Sequence, residues 1–308
     1  MMSDLRGFTA IAESRDPQEV VRFLNCYLEG MLNIILSYQG TIIEILGDGL
    51  LVLFGAPIGR QDDAERAVAC AVSMQLHMDE VNALLRQDNL PELEMGIGLH
   101  TGEVVVGNLG SVKYTRYGVS GGAVNLTGRI ESYTTGNQIL ISPTTYAATA
   151  DMLTVRQTLT IEPKGIAEPV SIYDVGGIGG THQLFLPEQQ DDLAPLTHEL
   201  LVSYTVLEGN FPGQGMSTGR LVQLGVKSAE LDIDEPVAAL SCLKIRLYHP
   251  NGEPVPGALF AKVLTDASTE ISTRVVMRFT YVPQHIQTFL DDAKRRWEFR
   301  MINRSVQL

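Results

Sequence analysis

Apolar positions along the first half of the chain recur at helical spacing in two long segments, with strand-like alternation between them. Asp16-Pro17-Gln18-Glu19 supplies an N-cap, a proline at the first helical position and a capping-box acid. The predicted helix that follows carries Val20, Leu24, Tyr27, Met31 and Ile35 on one face and stops near Gly40. Residues 41–46 read as a strand, Gly47-Asp48-Gly49 as a tight turn and residues 50–54 as a returning strand. A second helix starts near Asp62 or Asp63 and runs past Leu85, with Ala67, Ala71, Met74, Met78, Val81 and Leu85 as its buried stripe. Strands at 95–99 and 104–106 flank a turn at His100-Thr101-Gly102-Glu103. A third helix begins near Ala123, and shorter strands follow at 139–141, 155–161 and 170–175. The order β-α-β-β-α-β predicts an α+β fold of the ferredoxin-like type, an antiparallel sheet with helices on one face.

The texture changes after residue 180. Gly176 to Gly180 and Gln189-Gln190-Asp191-Asp192 read as a break, which divides the chain into 1–180, a linker at 181–195, and 196–308. Beyond the break, short strands at 200–207, 219–224, 228–233, 243–248, 258–264 and 275–281 are separated by turn signals such as Asn251-Gly252. A last amphipathic helix carries Ile286, Phe289 and Leu290. This pattern predicts a small β-barrel closed by a C-terminal helix.

Composition narrows the function. The 308 residues are 44% hydrophobic with a formal net charge of -13. Such an acidic chain gains nothing from counterion release, which argues against nucleic-acid binding. No uninterrupted apolar stretch reads as a membrane span and no signal peptide precedes Asp4, so the expected location is the cytoplasm. Cys26, Cys70 and Cys242 lack metal-ligand spacing and read as reduced core cysteines.

Two carboxylates carry the candidate chemistry. Asp4 lies in Ser3-Asp4-Leu5-Arg6-Gly7-Phe8-Thr9, and Asp48 lies between glycines at a strand end. Such a pair can hold two hard divalent ions, Mg²⁺ or Mn²⁺, against a polyphosphate. Asn125 and Arg129 are four apart on the third helix and share a face. Glu44 alternates with Ile43 and Ile45, so it points into the protein or a cleft and requires a partner or a ligand.

These pieces, together with Leu46-Gly47-Asp48-Gly49, Phe54-Gly55-Ala56-Pro57, Gly98-Leu99-His100-Thr101-Gly102-Glu103, Val124-Asn125-Leu126-Thr127-Gly128-Arg129, and Lys164-Gly165 ahead of Val170-Ser171-Ile172-Tyr173, resemble the catalytic domain of a class III nucleotidyl cyclase. The resemblance implies that Asp4 and Asp48 are the metal ligands, that Asn125 orients the ribose and that Arg129 stabilises the transition-state phosphate. Lys113 and Lys164 match positions that contact the leaving pyrophosphate. His100 falls in a hairpin-turn motif with a structural role. Glu44 stands where adenylate-forming relatives carry lysine, and Gly118 where they carry aspartate or threonine. Guanylate-forming relatives use glutamate and a small residue there. A carboxylate accepts both the N1–H and the 2-amino group of guanine, whereas adenine presents an acceptor at N1. The alternative for Glu44 is a salt bridge within the domain. The family's sites lie at a homodimer interface, with metal ligands from one chain and base-reading and Asn/Arg groups from the other. Relatives also carry a longer apolar strand before the first aspartate, so the strand ending at Asp4 reads as truncated.

The expected activity is therefore guanylate cyclisation of GTP, with ATP cyclisation or a catalytically weak nucleotide-binding module as alternatives. Residues 203–290 resemble a PilZ barrel through the strand pattern, the Gly219-Arg220-Leu221-Val222 opening and the strand at 275–279. The motifs for cyclic di-GMP are not intact. No Arg-x-x-x-Arg run precedes the barrel, and the expected acid, serine and glycine fall on Gln223, Gly225 and Ser228. The reading is an interaction or regulatory module, with cyclic di-GMP binding not expected.

Overall fold

A computed structural model describes the chain except for residues 163–167, 189–190, 209–210, 213–214, 265–273 and 306–308. It divides into two units, Met1–Glu188 and Gln189–Leu308.

The first unit opens with β1 (Met2–Leu5), α1 (Phe8–Glu13) and α2 (Pro17–Ser37). Asp16 caps α2 by accepting from the Gln18 N–H at 2.8 Å, as its sequence predicts. Phe23, Tyr27, Met31 and Ile35 form the buried stripe, whereas Val20 and Leu24 are only half-buried. With Glu29 as the single charge between residues 23 and 37, α2 is long and apolar enough to cross a membrane by length and composition, which departs from the expectation that no stretch qualifies. Here it packs against α3 (Asp63–Gln87) and β2 (Thr41–Leu46). β2 and β3 (Gly49–Leu53) form the predicted hairpin. β4 (Met95–Leu99), β5 (Val105–Ser111), β6 (Tyr114–Ser120), α4 (Gly122–Ser132), β7 (Gln138–Ile141), α5 (Pro143–Thr149), β8 (Leu153–Ile161), β9 (Val170–Ile178) and β10 (Leu184–Phe185) follow.

The main sheet runs β10-β9-β7-β4-β1-β3-β2, with β8 on β9, so β1 lies centrally between β3 and β4. All pairings are antiparallel except β4–β7. Alternation along β4 assigns its two faces. On one face Met95 meets Tyr27 of α2 (Oη to Sδ, 3.4 Å), and Gln75 of α3 donates to the Met95 carbonyl at 2.8 Å. On the other face Gly96 and Gly98 admit α4, where a Cβ on Gly98 would lie 2.4 Å from the Glu131 backbone nitrogen. The helices therefore occupy both faces rather than the single face expected, because two side-chain-free positions let α4 seat on the second.

A second departure concerns residues 100–104. They do not turn a hairpin, because β4 pairs with β1 and β7, while β5 pairs with the unpredicted β6 in a separate two-stranded arm. A third is the linker. Gly176, Gly177 and Ile178 end β9, and Leu184 and Phe185 pair back onto it as β10, so ordered strand continues into the stretch expected to connect the units.

The second unit contains β11 (Ala194–Glu208), β12 (Phe211–Pro212), β13 (Ser217–Leu224), β14 (Ser228–Ile233), β15 (Cys242–Leu247), β16 (Leu259–Val263), β17 (Arg274–Tyr281) and α6 (Gln284–Ser305). The order β11-β13-β14-β17-β16-β15, with β15 returning to β11, closes a six-stranded barrel; β12 extends β11. Alternating residues such as Val202, Leu221, Leu231, Ile245, Leu259 and Met277 fill its interior, and Ile286 and Leu290 of α6 join that core. All six predicted barrel strands are present, and the helix is where its pattern placed it.

Candidate active site

Asp4 on β1 pairs in register with Gly96 on β4, and Asp48 occupies the β2–β3 turn, where Gly47 takes the left-handed conformation (φ 68°). Pairing of β1 with β3 brings this turn over the end of β1. The Asp48 carboxylate accepts from the Leu5 N–H at 3.2 Å. Gly49 allows the close approach, since a Cβ there would sit 3.2 Å from the Ser3 carbonyl and 3.4 Å from Asp4 Oδ1. The two carboxyl groups touch. Burial, then the Asp4 charge and the Asp4 hydrogen bond, push Asp48 up to about 7. Two adjoining carboxylates that resist joint ionisation fit a hard divalent cation, whose charge removes the repulsion. Among the described residues no cluster of three or more His, Cys, Asp or Glu side chains that could hold a metal occurs, so further oxygen donors would be backbone carbonyls, a ligand or water.

Arg6, directly after β1, turns its guanidinium back over the strand. Nη2 lies 3.4 Å from both the Asp4 carbonyl and Asp4 Oδ2, and it also pairs with Glu131 of α4.

Glu44 lies on β2 and its carboxylate meets the Arg116 guanidinium of β6 through two contacts, Nη1–Oε1 at 2.5 Å and Nη2–Oε2 at 3.3 Å. The carboxylate thus has an intradomain partner, and the pair remains open to solvent, with 28% of the Glu44 side chain exposed. Gly118 is two residues beyond Arg116, on the same face of β6. It is buried, and a Cβ there would press the Leu109 side chain at 2.9 Å.

Asn125 and Arg129 lie one turn apart on α4, Asn125 exposed and Arg129 half-buried. Neither hydrogen-bonds to Asp4, Asp48 or Glu44 among the described residues. Lys113 is exposed at the tip of the β5–β6 arm. Lys164, with Gly165, lies outside the described residues. His100 accepts or donates to Ser142 Oγ at 2.9 Å, at the N-cap of α5, and burial depresses its ionisation; it supports the β4–α5 junction.

One chain therefore brings together Asp4 with Asp48, and Glu44 with the strand carrying Gly118, while no hydrogen bond among the described residues joins Asn125 or Arg129 to the carboxylate pair. Sequence reading missed Arg6 and Arg116. Both stood within or beside motif runs, yet their contacts depend on the β5–β6 arm and on α4 crossing to the second face.

Residues 1–173 match the family model described as the adenylate and guanylate cyclase catalytic domain. The chain is similar to the crystal structure of the guanylyl cyclase Cya2, at 56% identity and a TM-score of 0.59, over 60% of this chain and 94% of that one. The adenylyl cyclase CyaB from P. aeruginosa is similar at 37% identity and a TM-score of 0.55, over 56% and 90% of the two chains. Adenylate cyclase 1 of Rhizobium meliloti (strain 1021) is 33% identical over 180 residues, which are 58% of this chain, and the chain spans only 27% of that protein. With the family match covering more than half of the sequence, the chain belongs to the adenylate and guanylate cyclase catalytic-domain family, the class III nucleotidyl cyclases.

Proposed function

We propose that the chain is a guanylate cyclase that converts GTP to cyclic GMP and pyrophosphate at a site shared by two copies. The observation that carries the choice of base is the Glu44 carboxylate, paired with the Arg116 guanidinium and still open to solvent, with the side-chain-free Gly118 on the same strand as its partner. A carboxylate at this position offers acceptors to guanine N1–H and the 2-amino group, whereas adenine N1 is itself an acceptor that a carboxylate repels. The identity to Cya2, a guanylyl cyclase, supports the same choice.

Asp4 and Asp48 would hold two divalent cations, which when bound would neutralise phosphate charge and acidify the ribose 3′-hydroxyl. Asn125 orients the ribose, and the Arg129 fork meets the charge that develops at the α-phosphate. The 3′-oxygen bonds to the α-phosphorus as the bond to pyrophosphate breaks, and the hydroxyl proton is released. Lys113 and Lys164 accompany the leaving pyrophosphate. Sharing between copies is supported by the lack, among the described residues, of any hydrogen bond from Asn125 or Arg129 to the Asp4–Asp48 pair. It is also supported by the exposed apolar residues of the arm, Val105, Leu109, Val112, Tyr114 and Tyr117, which offer a second copy a surface.

Cyclisation of ATP is the second reading, favoured by the adenylate cyclases of R. meliloti and P. aeruginosa among the relatives. We read the second unit as a PilZ-like interaction module. The closed six-stranded barrel followed by a helix supports the likeness, and the missing arginine pair argues against cyclic di-GMP as its ligand.

Purified protein given Mn²⁺ with GTP or ATP, and product identification by chromatography, tests the proposal. The expected product is cyclic GMP; cyclic AMP alone would overturn the Glu44 argument. Glu44→Lys with Gly118→Asp should shift preference toward ATP, and unchanged GTP selectivity would refute the base assignment.

A further inference from the structure

We infer that Arg6 is a positioning residue for the metal-ligand carboxylate Asp4, anchored in turn by Glu131 on the helix that carries Asn125 and Arg129. The inference rests on the two-cation reading of Asp4 and Asp48 and extends it to a residue that touches neither substrate nor metal.

The backbone fixes where Arg6 starts. Its N–H donates to the Glu94 carbonyl at 2.7 Å, and Gly7 in the left-handed conformation (φ 69°) then turns the chain into α1. The side chain returns over β1 into the space above Gly96, where a Cβ would lie 3.2 Å from the guanidinium carbon. Glycine at that position leaves room for the planar group between the sheet and α4.

Burial is graded along the ion-pair chain. The Arg6 side chain is 11% exposed and that of Glu131 is 13% exposed, whereas that of Asp4 is 44% exposed. The enclosed end is the anchor, and the open end is the carboxylate that must reach a ligand. The two Asp4 oxygens are used differently. Oδ2 lies 3.4 Å from Arg6 Nη2, while Oδ1 lies beside Gly49 in the turn that carries Asp48. A cation held on Oδ2 fixes the rotamer and keeps Oδ1 turned toward Asp48. The same Nη2 also meets the Asp4 carbonyl, so backbone and side chain of one metal ligand are gripped together.

Stability alone does not account for this arrangement. Enclosing a guanidinium and a carboxylate costs desolvation that a pair of apolar residues would avoid. What the ion pair adds is direction, which an outer partner gives to a ligating carboxylate. Glu131 is two residues beyond Arg129, so the anchor also ties the metal-ligand strand to the helix bearing the transition-state arginine.

Mn²⁺ binding to the full chain, followed by electron paramagnetic resonance without nucleotide, reads the role separately from turnover. Arg6→Gln should weaken Mn²⁺ binding by roughly 10-fold, the loss expected for an outer partner of a metal ligand. Arg6→Lys should recover only part of it: one nitrogen, Nη2, makes all the contacts, so an ammonium supplies the charge, but the shorter lysine stem falls short of the point that Nη2 occupies. Glu131→Gln, which leaves the Arg6–Asp4 contact in place, should give a smaller loss in the same direction. Arg6→Gln protein that keeps its circular dichroism spectrum and binds Mn²⁺ as the wild type does, or more tightly, would overturn the inference while leaving the two-cation reading intact. A wild-type protein that binds no Mn²⁺ would overturn both.

Discussion

Gly98→Ala tests whether α4 is held at the distance its function requires. A Cβ at residue 98 would lie 2.4 Å from the Glu131 nitrogen, 2.6 Å from its Cα and 2.8 Å from its Cβ. Ordinary van der Waals contact begins near 3.4 Å, so the two backbones must separate by about 1 Å. The neighbours are helix backbone, which has no rotamer by which to yield. Overpacking of this kind costs about 2 kcal/mol, within the usual range for an inserted methyl. In a unit of this size that lowers Tm by about 4–8 °C. Under the proposed mechanism the same displacement would carry Asn125 and Arg129 away from the substrate, and a shift of about 1 Å in such a group costs on the order of 100-fold in turnover. Differential scanning fluorimetry and cyclase turnover at saturating Mn²⁺ and GTP read the two effects. Gly122→Ala on the same helix is the control, because a Cβ there meets nothing within 4 Å and alanine favours the helix. An alanine at 98 with wild-type Tm and wild-type turnover would refute the seating of α4 on β4, and with it the argument for helices on both faces.

Metal and pH should act together through Asp48. Its folded ionisation near 7, above the ordinary 3.8, means that the metal-free protein retains this contribution to stability below pH 3.8 and loses it as pH rises through 7. A divalent cation binds the ionised pair, so Mn²⁺ should raise Tm more at pH 8 than at pH 5.5, and an equal rise at both would count against the carboxylate pair as the metal site. Arg116→Gln removes the charged partner of Glu44 and should lower kcat/KM for GTP by about ten-fold while changing the ATP value less. A GTP-to-ATP ratio equal to the wild type's would mean that the ion pair has no part in base selection.

What the chain disclosed in advance and what it concealed divide along a physical line. α2 and α3 were legible because caps and apolar spacing are local, and the barrel strands because turn residues punctuate them at short intervals. Asp4 and Asp48 stood out in the sequence as carboxylates in short glycine-containing runs, and the β1–β3 pairing brings the two side chains together. The arm was concealed because β6 reads Tyr-Thr-Arg-Tyr-Gly-Val-Ser, mostly exposed, with no alternation of apolar and polar faces to mark a strand buried on one side. Missing β6 also hid Arg116, and so left Glu44 with two open readings that its neighbours in sequence had no means to separate. The contact with Arg116 does not decide for the structural reading alone. An exposed ion pair contributes little to stability, at most about 1 kcal/mol. The same reasoning applies to Gly96 and Gly98, where glycine inside a strand weakens it. Gly98 marks a place given over to another backbone, here the helix that carries Asn125 and Arg129, and Gly96 a place given over to the Arg6 and Thr134 side chains.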